Sequence, residues 1–130
     1  MKALLPPGWP RPKGYSNGVS AQGRMIFTAG VVGWDEQERF VSEDLAGQFA
    51  QVLRNIVAIL AEDGAGPEHI VRTTAYVTDI EAYRASLGEI GESWKEIIGR
   101  YYPAMALVEV VRLVELQALV EIEATAVVPE

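Results

Sequence analysis

Residues 42–79, SEDLAGQFAQVLRNIVAILAEDGAGPEHIVRTTAYVTD, decide the fold class of this chain. Apolar side chains recur at spacings of three and four over residues 45–60, which is the pattern of one helix face. Ser42 is the predicted N-cap of this helix and Gly64 its C-terminal stop. The segment Ile70 to Val77 follows, and its β-branched and aromatic residues predict a strand. A long helix that leads directly into a strand indicates a protein that combines both kinds of element.

A second helix and two further strands are predicted after this stretch. The apolar stripe of the helix consists of Ile80, Tyr83, Leu87, Ile90, Trp94, Ile97 and Tyr101. Asp79 is its candidate N-cap, and Pro103 follows the end of the helical pattern. The remaining residues predict strands over Ala104 to Leu113 and Leu119 to Val128.

The part of the chain before residue 42 predicts an arm and a hairpin. Residues 1–14 are rich in proline and glycine, which fits an extended arm better than a helix or a central strand. Tyr15 to Ser20 and Arg24 to Val32 predict a hairpin around Gln22-Gly23, with the second strand apolar enough to be buried on both sides. Arg39 to Val41 is a candidate short strand.

The element order ββ(β)αβαββ predicts an α+β fold, in one domain over residues 1–130. Its two predicted helices can cover only one face of a mixed sheet of four to six strands. Residues 120–128, VEIEATAVV, keep apolar character that requires a partner for the second face. Burial against further copies of the chain in a closed ring meets this requirement, so we expect a homo-oligomer.

The composition excludes several classes of function. The formal net charge of −7 repels phosphate backbones, so we expect no nucleic acid partner. The chain has no cysteine and one histidine, which excludes disulfides, thiolate catalysis and multi-histidine metal sites. We expect neither a metal nor a cofactor. The N-terminus lacks a signal-peptide pattern and no apolar run is long enough for a membrane span, which predicts a cytoplasmic protein.

Several short motifs, each weak alone, together resemble one family over most of the chain. They are Gly14-Tyr15-Ser16, Thr28-Ala29-Gly30, Gln48 and Asn55, Tyr76-Val77-Thr78-Asp79, Tyr102-Pro103-Ala104, Val108-Glu109-Val110 and Val120-Glu121-Ile122-Glu123-Ala124. In this order and spacing the sequence resembles the RidA family, also called YjgF/YER057c, of small imine and enamine deaminases. The resemblance implies a chorismate-mutase-like fold, a homotrimer, and ligand clefts between adjacent subunits.

The resemblance also implies a set of site residues. Glu121 matches the acidic residue that holds the attacking water in the family, and it is the candidate catalytic residue. The implied substrate-binding positions are Tyr15, Gly30, Val31, Gly88, Met105 and Leu107. For Glu121, Tyr15, Gly30 and Met105 there is a simpler interpretation. Glu121 and Glu123 would be the solvated edge of a strand, Tyr15 a strand aromatic, Gly30 a bulge, and Met105 core packing.

Four positions depart from the family pattern. Typical members carry Pro-Ala-Arg, whose Arg binds the carboxylate of a 2-imino acid, whereas this chain has Pro103-Ala104-Met105. Ala29-Gly30-Val31 stands where the family has Ser-Gly-Gln, and Gly88 stands at a position that often holds Asn. The chain therefore resembles the branch of the family that lacks the Arg.

Two classes of function follow from these observations. The first is a RidA-like deaminase that hydrolyses a reactive imine or enamine to a carbonyl compound and ammonia, with a substrate other than a typical small 2-imino acid. The second is a non-catalytic trimeric module that binds a small metabolite or acts like a chaperone. A ribonuclease activity, which the names of some relatives suggest, is disfavoured by the charge of −7.

Overall fold

The computed structural model describes residues 1–130 and shows a mixed five-stranded sheet beside a two-stranded one. The strands are β1 Lys2–Leu4, β2 Gly18–Ser20, β3 Arg24–Phe27, β4 Val31–Val32, β5 Ile70–Val77, β6 Ala104–Glu109 and β7 Val120–Val128. The helices are α1 Leu45–Ala61, α2 Ile80–Ala85 and α3 Leu87–Ile97, with a 3-10 turn at Pro67–His69. The main sheet runs β3-β7-β5-β6 and β4 also pairs with β7; only the β5–β6 pair is parallel. This is the predicted α+β fold.

The first helix forms as predicted but begins at a different cap. Asp44, and not Ser42, is the N-cap, because its carboxylate accepts a hydrogen bond from the backbone N–H of Gly47. The Ser42 hydroxyl instead accepts a hydrogen bond from the N–H of Asp44. Gly64 adopts a φ of +75° just past the helix, as its predicted role as the C-terminal stop requires.

The second predicted helix is divided in two at Ser86, so the fold has three α-helices rather than two. Asp79 caps α2 as predicted, since its carboxylate accepts from the N–H groups of Glu81 and Ala82. Ser86 leaves the helical region at φ −105° and ψ 8°, and its hydroxyl donates to the carbonyl of Ala82. Such a bond back to the preceding turn competes with the helical ladder, which accounts for the break.

The predicted N-terminal hairpin is wrong. β2 pairs with β1, which lies in the N-terminal arm, while β3 pairs with β7 at the other end of the chain. The chain bends at Gly23, which has a φ of +148°, and the two segments beside it diverge into different sheets. The close approach of Gly23 to the carbonyl of Val128 keeps the start of β3 against β7.

Three other predicted strands are shorter or absent. The segment 24–32 is interrupted between β3 and β4, and the strand that begins at Ala104 ends at Glu109 rather than Leu113. The candidate strand Arg39 to Val41 is reduced to a single bridge between Phe40 and Trp34. The last two of these losses fall where the chain has no neighbouring strand along which to continue a ladder.

The helices cover one face of the main sheet and leave the other face open. The core is a cluster of 18 buried residues, including Leu53 and Ile56 of α1 against Ala75 and Ile122 of the sheet. On the opposite face Met25 and Phe27 are 56% and 66% exposed, so the expectation that this segment is buried on both sides does not hold within one subunit. None of the helices combines the length and apolar character needed to span a membrane.

Candidate functional site

A bulge between β3 and β4 forms the first part of the site. Phe27 pairs with Thr125, and Val31 pairs with Ile122. The segment between β3 and β4 therefore has one more residue than the facing part of β7. The Thr28 hydroxyl fills the gap in the ladder, because it accepts a hydrogen bond from the backbone N–H of Ala124 at 3.0 Å. Bulges of this kind re-aim the residues around them.

The bulge places Gly30 directly against the carboxylate of Glu121. A Cβ atom at Gly30 would lie 2.6 Å from Oε2 of Glu121 and 2.7 Å from its Cδ. The φ of Gly30 is not in the left-handed region, so close approach rather than backbone conformation requires glycine here. Glu121 is half-buried, with no hydrogen-bond or ion-pair partner for its carboxylate within the subunit. The structure therefore brings two of the predicted site residues, Gly30 and Glu121, together.

The strand face beside Glu121 is polar on the side of β5, whereas its register partner on β4 is the buried Val32. Tyr76 is the register partner of Glu121 on β5, and the Tyr76 hydroxyl donates to Oε1 of Glu123 at 2.9 Å. This hydrogen bond to a carboxylate raises the pKa of Tyr76 above its usual 10.0, with the nearby negative charges as a smaller contribution. Glu123 thus has a partner within the subunit, whereas the carboxylate of Glu121 stays free to bind water or a ligand.

The second part of the site lies at the β6 edge of the sheet and includes Tyr15 and Met105. Gly14 turns the chain with a φ of +80°, and Ser16 then docks beside the start of β6, with its N–H donating to the carbonyl of Pro103 at 3.0 Å. This anchoring holds the Tyr15 ring beside Met105 at the edge of a cavity of about 430 Å³. Trp94 of α3 lines the same cavity.

Register shows that the two parts of the site face opposite sides of the sheet. Directly opposed residues share a face, and Met105 and Leu107 are opposed to the buried Thr73 and Ala75. Met105 and Leu107 therefore point toward the helices and pack against the core. Glu121 lies on the open face. Met105 lines two of the five principal cavities, whereas Glu121 lines none of them.

The remaining two predicted site residues lie apart from these groups. Val31 is 8% exposed and belongs to the core, so its side chain packs against Ile122 rather than beside Glu121. Val31 also lines, with Gly30 and Trp34, a separate cavity of about 430 Å³ beside the bulge. Gly88 is exposed near the start of α3, with nothing within 4 Å of the position of a Cβ atom.

Three residues with clear roles were not identified from the sequence. Glu109, interpreted as a surface carboxylate, accepts a hydrogen bond from the N–H of Ile80 at 2.8 Å and so holds the start of α2 against β6. Lys13 and Lys95 line the cavity beside Met105. No sequence pattern links two lysines so far apart in the chain. No group of three or more side chains suited to hold a metal ion occurs in the structure.

The fold and the site together define a class of small α+β protein with a carboxylate at a strand bulge and an aromatic cavity at the opposite sheet edge. The sequence profile of the family described as Endoribonuclease L-PSP matches residues 10–128. RutC family protein slr0709 of Synechocystis sp. is 35% identical over 132 aligned residues, covering 99% of this chain and 98% of that protein. The 2-iminobutanoate/2-iminopropanoate deaminase of Salmonella typhimurium is 34% identical over 113 residues, covering 87% and 86%.

A solved structure shows the same likeness in three dimensions. A protein of the conserved Rid family from Yersinia pestis, YyfB, described as of unknown function, superposes with a TM-score of 0.86. It is 31% identical, and the match covers 98% of both chains. The chain therefore belongs to the RidA/YjgF family, as the resemblance in its motifs predicted.

Proposed function

We propose that this protein is an imine or enamine deaminase that acts as a homotrimer in the cytoplasm, on a substrate bulkier than a typical small 2-imino acid. The observation that carries the proposal is the unpartnered carboxylate of Glu121, held against Gly30 at a bulge. The family supports it, because one relative is named a 2-iminobutanoate/2-iminopropanoate deaminase.

Glu121 supplies the chemistry that hydrolysis of an imine requires. Its carboxylate accepts a proton from a water molecule while the water oxygen forms a bond to the carbon of the C=N group. The same proton then goes to the nitrogen, which gives a neutral carbinolamine. Glu121 next accepts the hydroxyl proton and passes it to the nitrogen, so that the carbon–nitrogen bond breaks, ammonia leaves and the carbonyl forms. An imine and one water thus give a carbonyl compound and ammonia. An enamine enters the same path after it is protonated on carbon.

A homotrimer would bring the two parts of the site together. Glu121 and Met105 face opposite sides of one sheet, so a ligand reaches both only if they come from different subunits. The open face, with its exposed Met25 and Phe27, supplies apolar surface for such contacts. The implied clefts between adjacent subunits agree with this arrangement.

Met105 determines which substrates are suitable. Its thioether has no hydrogen-bond donor, so it cannot bind the carboxylate of a small 2-imino acid as a guanidinium does. Loss of such a charge-assisted pair reduces binding by about 1.5 to 3 kcal/mol. Met105 and Leu107 instead provide apolar contact, which favours a larger imine or enamine.

Ammonia release from freshly generated imines and enamines tests the proposal. Glu121→Gln should lower kcat by about a hundredfold to ten-thousandfold, because general acid–base catalysis is lost. Glu123→Gln is the matched control, since it neutralises a carboxylate two residues away on the same strand face. Equal rates for wild type and Glu121→Gln in a folded protein would overturn the assigned role.

The absence of a donor on Met105 also favours a second candidate, a trimeric module that binds a metabolite without turnover or acts like a chaperone. In that case no imine or enamine would be hydrolysed faster than in buffer, and Glu121→Gln would leave ligand affinity largely intact. The endoribonuclease activity in the family description is not proposed for this chain, because its net charge of −7 opposes RNA binding.

A further inference from the structure

The cavity beside Met105 is lined mainly by aromatic and apolar side chains. Its volume is about 430 Å³, within the range of small-molecule sites. Tyr15 comes from the N-terminal segment, Trp94 from α3, and Tyr83 from α2, so the rings converge from separate elements. Such a cavity has the size and surface to accept an aromatic ring.

The rings of this cavity are held in place. The indole N–H of Trp94 donates to the carbonyl of Tyr101 at 3.0 Å, and Tyr83 packs against Phe49 with ring centroids 6.3 Å apart. Tyr83 is half-buried, and this burial raises the pKa of its hydroxyl. The cavity is therefore largely formed before a ligand binds, which reduces the entropic cost of binding.

The charged groups of the cavity are all of one sign. Lys13 and Lys95 line it and no Asp or Glu does, although acidic residues outnumber basic ones by 18 to 11 in the whole chain. Lys13 forms no ion pair, and the single ion pair of Lys95, with Glu92, is long at 3.9 Å. Two ammonium groups are thus available to an anion at this cavity.

We propose that the substrate is an aromatic 2-imino acid, whose ring occupies this cavity and whose carboxylate binds Lys13 and Lys95. This inference rests on the proposed deaminase function and names the substrate class for the same site. The lysines take over the role that an Arg at position 105 has in typical members of the family. The imine carbon, which is bonded to the carboxylate carbon, then lies near the mouth of the cavity, where Glu121 of an adjacent subunit can reach it.

The reaction balances without any further reactant. The imine of phenylpyruvate takes up one water at its C=N carbon, the carbon–nitrogen bond breaks, and the products are phenylpyruvate and ammonia. An amino-acid oxidase acting on phenylalanine generates this imine in the assay, and the same oxidase acting on a small aliphatic amino acid generates the comparison substrate.

Gly91→Leu tests the cavity directly. Gly91 lines it, and nothing lies within 4 Å of the position of its Cβ, so leucine fits locally but fills the space for the ring. We expect kcat/KM for the phenylalanine-derived imine to fall about tenfold or more, with little change for the small imine. Ala85→Leu is the control, because Ala85 is exposed at the end of α2 and does not line the cavity. Equal effects of Gly91→Leu on both substrates would overturn the proposal.

Lys95→Met tests the anion contact. Removal of this ammonium should raise KM for the aromatic imine about five- to tenfold, a modest factor because the side chain is partly exposed to solvent. Arg84→Met is the control, since it removes one cation from the neighbouring helix outside the cavity. An unchanged KM in Lys95→Met and in the Lys13→Met,Lys95→Met double variant would overturn the anion contact.

Calorimetric measurement of product binding distinguishes the proposed ligand class from the proposed deaminase function. Phenylpyruvate should bind the wild-type protein at least about tenfold more tightly than pyruvate, and Gly91→Leu should abolish the difference. If this preference holds while no imine is hydrolysed, the deaminase function fails and the ligand class stands. If hydrolysis occurs but small imines and pyruvate are preferred, the deaminase function stands and the aromatic substrate class is wrong.

Discussion

Gly30→Ala is a decisive test of the contact between the bulge and the carboxylate of Glu121. The new Cβ would lie 2.6 Å from Oε2, and ordinary contacts begin at 3.4 Å. The carboxylate must therefore move by about 0.8 Å, and a displacement near 1 Å at a reacting group reduces rates by about a hundredfold. We expect kcat to fall about 30- to 100-fold in the ammonia-release assay, with KM changed less than about threefold.

The stability of the variant distinguishes this effect from misfolding. The obstacle at Gly30 is the end of a flexible side chain, so the melting temperature should change by less than about 3 °C. Gly33→Ala is the contrast, because its Cβ would meet the backbone carbonyl of Gln48 at 2.7 Å and destabilise the fold by about 1 to 3 kcal/mol. A Gly30→Ala protein with full kcat would refute the idea that the position of Glu121 matters for turnover.

Three further predictions concern the core and the sheet. Thr73 is 2% exposed and its hydroxyl has no hydrogen-bond partner, so Thr73→Val should raise the free energy of unfolding in urea by about 1 kcal/mol. The buried Gln48 amide accepts from the N–H of Leu119 at 2.8 Å, so Gln48→Leu should lower that free energy by about 3 kcal/mol, and a loss under about 1 kcal/mol would contradict it. Tyr76 keeps its proton to a higher pH when folded, so its bond to Glu123 stabilises the fold below pH 10.0 and this contribution is lost as the pH rises through the folded pKa. Ultraviolet titration should show that Glu123→Gln returns the pKa of Tyr76 toward 10.0.

The sequence predicted those parts of the fold that depend on local pattern. Helix α1 and strand β5 lie within the stretch that the apolar spacing and β-branched residues indicated, and Asp79 caps α2 as expected. The hairpin failed because the pairing partner of a strand is a long-range property. Nothing within residues 15–32 shows that β3 prefers β7 to its neighbour β2.

The sequence predicted only part of the site, because the rest depends on pairing between strands that are distant in the chain. The alternation of β7 correctly placed Glu121 and Glu123 on one face, and the family resemblance singled out Gly30. Their contact depends on one extra residue in the strand opposite Glu121, which no periodicity displays. That Met105 and Glu121 face opposite sides of the sheet required the register of three strands. The two lysines of the cavity are brought together only by tertiary structure.

A mixing experiment tests whether the two parts of the site act between subunits. Glu121→Gln subunits have an intact cavity and should be nearly inactive alone on the aromatic imine. Gly91→Leu subunits have an intact carboxylate and should keep about a tenth of wild-type activity or less. Equal amounts of the two variants are unfolded and refolded together into the proposed trimer. A cleft is then complete when its carboxylate comes from a Gly91→Leu subunit and its cavity from a Glu121→Gln subunit. Each condition holds for about half of the clefts, so about one quarter of wild-type activity should return.

A site within one subunit predicts a different result. Every chain in the mixture carries one defect, so no complete site could form and activity would stay at the level of the separate variants. Return of activity therefore requires that Glu121 of one subunit serves the cavity of another, which is what their positions on opposite faces of the sheet demand. Mixing the two proteins without unfolding is the control, since the proposed trimers should exchange subunits slowly and no activity should return at first.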